Sequence, residues 1–233
     1  MQPTREFLQA AESLAIVFEP GDLDRLSRYL ALLLEANTRF NLTAITDPQQ
    51  AWMRHMLDAL TLLPPIASAQ AAQVADIGSG GGVPAIPLAI VLPDVQFTLI
   101  ESTGKKASFL RDAAADLALK NVTVLSERAE SLGQDPGHRE RYDIVTARAV
   151  GRLNVLLELT VPLAAVGGHV LAIKGEKAAE EIAEARQALH RLHCSVVNTT
   201  RTPTGTIITI EKSRKTPRIH PRRPGEPKRA PLT

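Results

Sequence analysis

The sequence contains a single cysteine, Cys194, few aromatic residues and no long apolar run. One cysteine excludes an internal disulfide and disfavours a thiolate metal site, which is typical of proteins from a reducing compartment. No segment approaches the roughly 18 uninterrupted apolar residues of a membrane span, and the N-terminal region lacks the pattern of a secretion signal. We therefore expect a cytoplasmic protein with no metal and no membrane association. Aromatic residues make up only 3% of the chain, which disfavours extensive stacking of nucleobases on Phe or Tyr.

The net charge of +2 is unevenly distributed, because residues 211–233 carry eight Lys or Arg and only two Glu. Basic segments of this kind bind polyanions by neutralising phosphates and releasing counterions. The composition predicts that residues 213–233 form a flexible basic tail that contacts RNA, and a solvated, disordered terminus is the alternative.

Hydrophobic periodicity divides the rest of the chain into two parts. Residues 1–65 are predicted to be helical, with one helix over 22–38 capped by Asp22 and a second from Asp47 to the prolines at 64 and 65. Residues 66–212 alternate short apolar runs with helical segments, and the strand candidates are VADI, VQFTLIE, VTVLS, YDIVTAR and HVLAIK.

This alternation predicts an α/β fold with a doubly wound, Rossmann-like parallel sheet. After a helix around 176–192, CSVVNTT and GTIITIEK are separated only by RTPT. Because so short a turn cannot make a parallel crossover, the last two strands are predicted to form an antiparallel hairpin.

A glycine cluster follows the first predicted strand, in the stretch VADIGSGGGVPAI. Backbone N–H groups of Gly78 and Gly80 can approach a ligand there, and Glu101 ends the next strand at the spacing of a ribose-binding carboxylate. A helix-capping role for Glu101 is the alternative. The dinucleotide fingerprint fits poorly because Val83 stands where a third glycine is needed, and Asp76 would add negative charge beside a pyrophosphate. Asp76 suits a sulfonium cofactor that carries an amino group.

The order DIGSGGG resembles the first motif of class I S-adenosylmethionine methyltransferases. Several segments narrow the resemblance to one family, ribosomal RNA small subunit methyltransferase G, also called glucose-inhibited division protein B. The matching segments are FNLTAITDPQQAWMRHMLDAL, DIGSGGGVPAIPLAI, TLIESTGKKASFL, RAE, TARA and AIKGE. The resemblance implies transfer of a methyl group from S-adenosylmethionine to N7 of one guanine in the decoding-region loop of 16S rRNA.

The resemblance also implies individual roles. The positions that match the family's cofactor contacts are Gly78, Val83, Glu101, Ser102, Thr103, Ala129, Glu130 and Arg148. Arg148 is expected to lie beside both the cofactor and the active cleft. Two residues depart from the family pattern: Ala85 replaces a common glycine, and Thr146 replaces a common serine. The additional glycine at 81 has no evident chemical purpose.

Guanine N7 already carries an in-plane lone pair, so we expect no general base, and Arg148 is assigned a positioning role. The cations expected to contact RNA are Lys105, Lys106, Arg111, Lys174, Arg222, Arg223, Lys228 and Arg229. For Lys105, Lys106 and Arg111, a solvated helix face is the alternative. Arg54 and Asp58 are predicted to pair on their helix, while Asn41 and His55 fasten the N-terminal helices to the sheet; direct contact of this cluster with RNA is the alternative.

The partner implied by the resemblance is 16S rRNA, in the small ribosomal subunit or an assembly intermediate, and a self-contained domain favours a monomer. Two other classes remain open from the residues alone. One is a non-catalytic RNA-binding assembly factor that retains the methyltransferase fold, and the other is a nicotinamide-dependent oxidoreductase.

Overall fold

The computed structural model describes residues 1–233 and contains one seven-stranded sheet with helices on both faces. The strands are β1 (Gln73–Ile77), β2 (Gln96–Ile100), β3 (Val122–Leu125), β4 (Tyr142–Arg148), β5 (Ala164–Lys174), β6 (Cys194–Thr202) and β7 (Gly205–Lys212). They are ordered β3-β2-β1-β4-β5-β7-β6. The first five are parallel, whereas β7 pairs antiparallel with both β5 and β6. The predicted fold class, including the antiparallel hairpin, is confirmed.

The helices before the sheet are α1 (Arg5–Ser13), α2 (Asp22–Asn37), α3 (Pro48–Ala51), α4 (Asp58–Leu60) and α5 (Leu63–Ser68), and a π-helical segment, Trp52–Leu57, joins α3 to α4. Those that follow are α6 (Ala85–Val91), α7 (Gly104–Asp116), α8 (Ala129–Leu132), α9 (Leu153–Thr160), α10 (Ala178–Glu184), α11 (Arg186–Leu192) and α12 (Glu226–Arg229). None of these helices combines the length and the apolar composition needed to cross a membrane.

The sheet separates two apolar cores. The N-terminal helices, α6 and α7 share one of them, in which Leu26, Leu30 and Leu33 of α2 are buried. Helices α9 to α11 share the other, and Leu232 near the C-terminus is part of it. Burial of leucines at helical spacing explains why α2 packs on the sheet as the periodicity predicts.

Helix boundaries differ from the predictions at three places. Gly21, rather than Asp22, occupies the N-cap of α2. The prolines at 64 and 65 lie in the first turn of α5 instead of stopping a helix, because the first turn does not need their missing N–H groups. The segment 176–192 forms two helices, α10 and α11, which meet at Ala185.

Residues 213–233 do not form the flexible tail that their composition predicts. The Glu158 carboxylate, which is completely buried in α9, accepts from the Nε and Nη2 groups of Arg222. Arg139 donates to the carbonyls of Thr216, Pro217 and His220. The structure therefore holds this segment against the core, because an arginine of the segment donates to a buried carboxylate of the core and an arginine of the core donates to carbonyls of the segment.

Candidate functional site

The glycine loop lies at the carboxyl end of β1, where the order of strands reverses between β2 and β4. Gly80 and Gly82 have φ angles of +54° and +94°, which residues other than glycine rarely adopt. A Cβ at Gly82 would lie 2.7 Å from Ile86 Cγ1 and 3.0 Å from the Tyr29 hydroxyl oxygen. The loop therefore depends on glycine for both its conformation and its packing against the helices.

The additional glycine at 81 has a structural explanation. A Cβ on Gly81 would lie 2.7 Å from Leu33 Cδ1, and its carbonyl accepts a 2.6 Å hydrogen bond from the buried Tyr29 hydroxyl. Ala85 is completely buried at the start of α6. Both positions belong to the contact between the loop and its neighbouring helices, and Tyr29 is a residue of this region that sequence reasoning missed.

Glu101 joins the glycine loop to the start of α7. Its carboxylate accepts hydrogen bonds from Gly80 N at 3.0 Å and Thr103 N at 2.7 Å. Since an ionised carboxylate offers about four acceptor positions, the Glu101 carboxylate can still accept hydrogen bonds from the hydroxyl groups of a ligand. The capping alternative is thus only part of its role, because the same carboxylate also fixes the loop.

Asp76 lies beneath the loop and is 1% exposed. Its Oδ1 accepts a 2.7 Å hydrogen bond from Thr146 Oγ1, so threonine at 146 supplies the hydroxyl expected there. Its Oδ2 is buried without a partner. Burial raises the pKa of Asp76 from 3.8 to about 6, although the hydrogen bonds to Thr146 and Ser79 lower it. An unpartnered buried carboxylate oxygen is a feature that a cationic ligand group can satisfy.

Arg148 ends β4 and bridges to the N-terminal helices. Its Nη2 donates to Arg54 O at 2.9 Å, and its Nε lies 3.4 Å from Asp58 Oδ2. Its Nη1 is buried without a partner. Asp58 also accepts from Thr204 Oγ1, in the turn between β6 and β7. Arg148 is therefore oriented by elements from both ends of the chain, while one guanidinium nitrogen remains available.

The predicted pairing of Arg54 with Asp58 is wrong, because Asp58 pairs with Arg148 and the exposed Arg54 donates to Thr204 O. His55 does fasten neighbouring segments, through Thr43 Oγ1 at 2.8 Å and a 3.3 Å contact with Arg148 Nη2. Asn41 is exposed. Burial, and then the charge of Arg148, lower the pKa of His55 to about 4, so its ring is neutral near pH 7.

Two cavities share Gly78 at this edge of the sheet. The first, of about 350 Å³, is lined by residues that include Gly78, Gly80, Val83, Lys106 and Arg148. The second, of about 220 Å³, is lined by residues that include Gly78, Ser102, Ala129, Glu130 and Lys228. The structure therefore brings most of the predicted cofactor residues to two adjacent cavities. Glu101 and Thr103 line neither cavity, and they connect to the glycine loop through the Glu101 carboxylate.

The cations predicted to contact RNA are found in different environments. Lys105, Arg111, Arg223, Lys228 and Arg229 are exposed, and Lys106 is half-buried at the first cavity. Lys174 instead lies buried, with its Nζ 2.8 Å from Glu181 Oε2 and 2.5 Å from Gly151 O. Arg222 is bound to buried Glu158. Neither Lys174 nor Arg222 has its charge free for a phosphate, because each neutralises an internal carboxylate.

Comparisons with known proteins give one consistent result. The sequence model of the family described as rRNA small subunit methyltransferase G matches residues 22–207. A protein named ribosomal RNA small subunit methyltransferase G from Sorangium cellulosum is 47% identical, over 96% of this chain and 93% of its own length. One of the same name from Roseiflexus sp. is 43% identical, over 97% and 98% of the two chains.

Solved structures share the fold at low sequence identity. An O-methyltransferase from Bacillus cereus in complex with SAH has a TM-score of 0.57 at 20% identity, covering 88% of this chain and 96% of that one. A methyltransferase from Geobacter sulfurreducens has a TM-score of 0.54 at 16% identity, covering 79% and 90%.

The sheet with its antiparallel end, the glycine loop and the spaced carboxylates define a class I S-adenosylmethionine-dependent methyltransferase. Within that class, the chain belongs to the rRNA small subunit methyltransferase G family.

Proposed function

We propose that this protein transfers a methyl group from S-adenosylmethionine to N7 of one guanine in the decoding-region loop of 16S rRNA, and that it acts as a cytoplasmic monomer. Membership of the rRNA methyltransferase family supports the substrate class. The observation that carries the proposal is a pair of unpartnered buried polar atoms: Asp76 Oδ2, beneath the glycine loop, and Nη1 of Arg148, which lines the first cavity beside that loop. The Asp76 carboxylate can accept one more hydrogen bond and the Arg148 guanidinium can donate one more. Together they suit a ligand that carries both a cationic and an anionic group.

We propose that the two cavities receive the two ends of S-adenosylmethionine. The second cavity, with Ser102, Ala129 and Glu130, would receive the adenine, and Glu101 would accept from the ribose hydroxyls. The first cavity would receive the methionine portion, with Asp76 toward its amino group and Arg148 toward its carboxylate. When bound, the cofactor supplies an electrophilic methyl group on a sulfonium.

The protein's own residues position the guanine rather than deprotonate it. His55 is the only histidine lining the first cavity, and its Nε2 is within hydrogen-bond distance of Thr43 while its Nδ1 contacts Arg54 O and Arg148. A neutral ring with both nitrogens engaged is poorly suited to proton abstraction, which agrees with a nucleophile that carries no proton at N7. Alignment of reactants contributes about 7 to 11 kcal/mol in well-oriented systems, enough to account for much of the acceleration.

RNA would approach over the first cavity. Lys106 lines this cavity, and Lys105 and Arg111 lie on the same helix, α7. Phosphate contacts from these side chains would hold the RNA without reading its sequence. We propose that they supply the salt-dependent part of RNA affinity, whereas Arg223 and Arg229 extend the basic surface at the C-terminus.

Cofactor affinity is expected to rise about tenfold between pH 5 and pH 7, because the ionised fraction of Asp76 rises from about one tenth to about nine tenths across a pKa of about 6. The contribution of Asp76 to the free energy of unfolding should change in the opposite direction and fall as the pH rises. The unfolded carboxyl ionises near 4 while the folded one keeps its proton to about 6, so this contribution to stability is lost as pH rises through that window. Calorimetric titration at several pH values measures the affinity, and Asp76→Asn should flatten the profile. A tenfold rise that persists in Asp76→Asn would assign the titration to another group.

Glu101→Gln is expected to weaken S-adenosylmethionine binding about 10- to 100-fold, since hydrogen bonds to a charged group contribute about 1.5 to 3 kcal/mol. The amide also accepts less well from Gly80 N and Thr103 N, so thermal unfolding should be measured in parallel. Glu180→Gln, at an exposed position on α10, is the matched control and should leave the affinity unchanged. Equal affinity in the two variants would exclude Glu101 from the cofactor site.

The proposed function is tested by incubating the protein with methyl-labelled S-adenosylmethionine and either bare 16S rRNA or 30S subunits. Transfer of label to the rRNA is expected, and comparison of the two substrates shows which one is used. Tight RNA binding without transfer to either would favour the non-catalytic assembly factor. Binding of NAD in place of S-adenosylmethionine would favour the oxidoreductase.

A further inference from the structure

We infer that the C-terminal segment, residues 223–233, forms one wall of the cofactor site and contributes directly to cofactor affinity. The inference rests on the placement of S-adenosylmethionine under the proposed function, and it assigns a role to a segment whose basic composition points to RNA. Gly225, Pro227 and Lys228 line the second cavity together with Ser102, Ala129 and Glu130.

The segment is held in place by contacts of the residues that immediately precede it in the chain. Arg222 donates to both oxygens of the Glu158 carboxylate, from Nε at 2.8 and 3.1 Å, and its backbone N–H adds a bond at 3.0 Å. His220 Nδ1 lies 2.9 Å from the same carboxylate. Gly133 lies against Pro221, where a Cβ on the glycine would come within 2.7 Å of the proline ring. Residue 223 therefore leaves the core from a fixed point.

At the far end of the segment, Leu232 is buried in the apolar core formed with α9 to α11. With Arg222 fixed at one end and Leu232 at the other, the intervening residues are confined to a path across the second cavity. Val155 and Leu159 of α9, the helix that carries Glu158, line the same cavity. One helix thus supplies both the anchor for the segment and part of the cavity lining.

The segment also fixes a carboxylate of the cavity. Gly225 N donates to Glu130 Oε1 at 2.8 Å, and Glu130 is only 6% exposed. No protein donor is bound to Oε2, which leaves this oxygen able to accept from a ligand amino group. Gly225 has a φ of +85°, a conformation that directs the chain past Glu130 and that other residues adopt at a cost. The segment therefore encloses the cavity and orients one of its acceptors.

Deleting residues 223–233 removes this wall while leaving the bond between Arg222 and Glu158 in place. We expect the dissociation constant for S-adenosylmethionine to rise about tenfold or more, through loss of an oriented charged hydrogen bond and of enclosed surface. Lys228→Ala should weaken binding measurably. Arg229→Ala, which removes the same charge from the adjacent residue outside the cavity, should not. An unchanged dissociation constant in the deletion variant would overturn the inference.

Because the deletion also removes buried Leu232, a measurement on the intact chain provides a second test. Ligand binding slows all exchange that requires global unfolding, so β6, which lines neither cavity, serves as the reference. Hydrogen exchange of residues 223–229 should slow more than that of β6 when S-adenosylmethionine is added, whereas a segment that only stabilises the fold would slow no more than β6. Absence of this slowing, in a chain that binds S-adenosylmethionine, would also overturn the inference. An intact chain that does not bind S-adenosylmethionine would instead contradict the proposed function itself.

Discussion

Replacing Arg148 by Met is expected to lower the rate of methyl transfer by at least about 100-fold, comparable to the loss of one preorganised hydrogen-bond donor from other active sites. Arg148 lines the first cavity, and its Nη1 is buried without a protein partner. Methionine retains much of the apolar stem but removes the charge and the donors. Single-turnover rates with saturating S-adenosylmethionine and 16S rRNA measure the effect.

The same change affects stability, because Asp58 loses the partner that lies 3.4 Å away. We expect this loss to cost about 1 to 3 kcal/mol of the free energy of unfolding. A double variant, Arg148→Met with Asp58→Leu, removes both charges and should recover most of the stability while remaining inactive. If the double variant regained activity together with stability, Arg148 would be a structural residue rather than a positioning residue.

Arg222→Met is expected to reduce the free energy of unfolding by about 3 to 5 kcal/mol, the usual cost of leaving a buried ion without its partner. Glu158 is completely buried, and Arg222 donates to both of its carboxylate oxygens. Chemical denaturation at pH 7 measures the change. Arg223→Met, at the adjacent exposed arginine, is the control and should change stability by less than about 0.5 kcal/mol.

The dependence on pH gives this prediction a further test. Burial opposes ionisation of Glu158, but the bonds from Arg222 and His220 outweigh it and hold the pKa of Glu158 below its ordinary value. The ionised Glu158 carboxylate therefore contributes to stability above the ordinary pKa of glutamate. This contribution is lost as the pH falls through the lower pKa that Glu158 has in the folded protein. The difference between the original chain and Arg222→Met should shrink on acidification. A difference of under about 1 kcal/mol at pH 7 would mean that the C-terminal segment is not anchored by this pair.

Local patterns were sufficient to predict the sheet. Each of the five parallel strands is a short apolar run, and the four residues RTPT require a hairpin between the last two. The glycine loop and Glu101 were also predictable, because strand ends in a parallel sheet converge on one edge. Gly80 N and the Glu101 carboxylate indeed meet there at 3.0 Å.

Partners that are distant in sequence could not be predicted in the same way. Asp58 and Arg148 come together across 90 positions, whereas helical spacing favoured Arg54 as the partner of Asp58. The prediction of a flexible tail from charge composition was wrong for the same reason. A count of basic residues does not show that some of them pair with carboxylates of the core. Lys212, for example, is 1% exposed and donates to Glu140 Oε1 at 3.0 Å. The π-helical segment before Asp58 could not be predicted either, because the apolar periodicity does not distinguish it from an α-helix.

The most direct test of the central claim is to identify the atom that receives the methyl group. The protein, 16S rRNA and methyl-labelled S-adenosylmethionine are incubated, the rRNA is digested, and the labelled nucleoside is identified and mapped to its position. We predict label on N7 of a single guanine in the decoding-region loop, and labelling at least about 100-fold slower with Arg148→Met. Label on a ribose, on cytosine or on another atom of guanine would contradict the account.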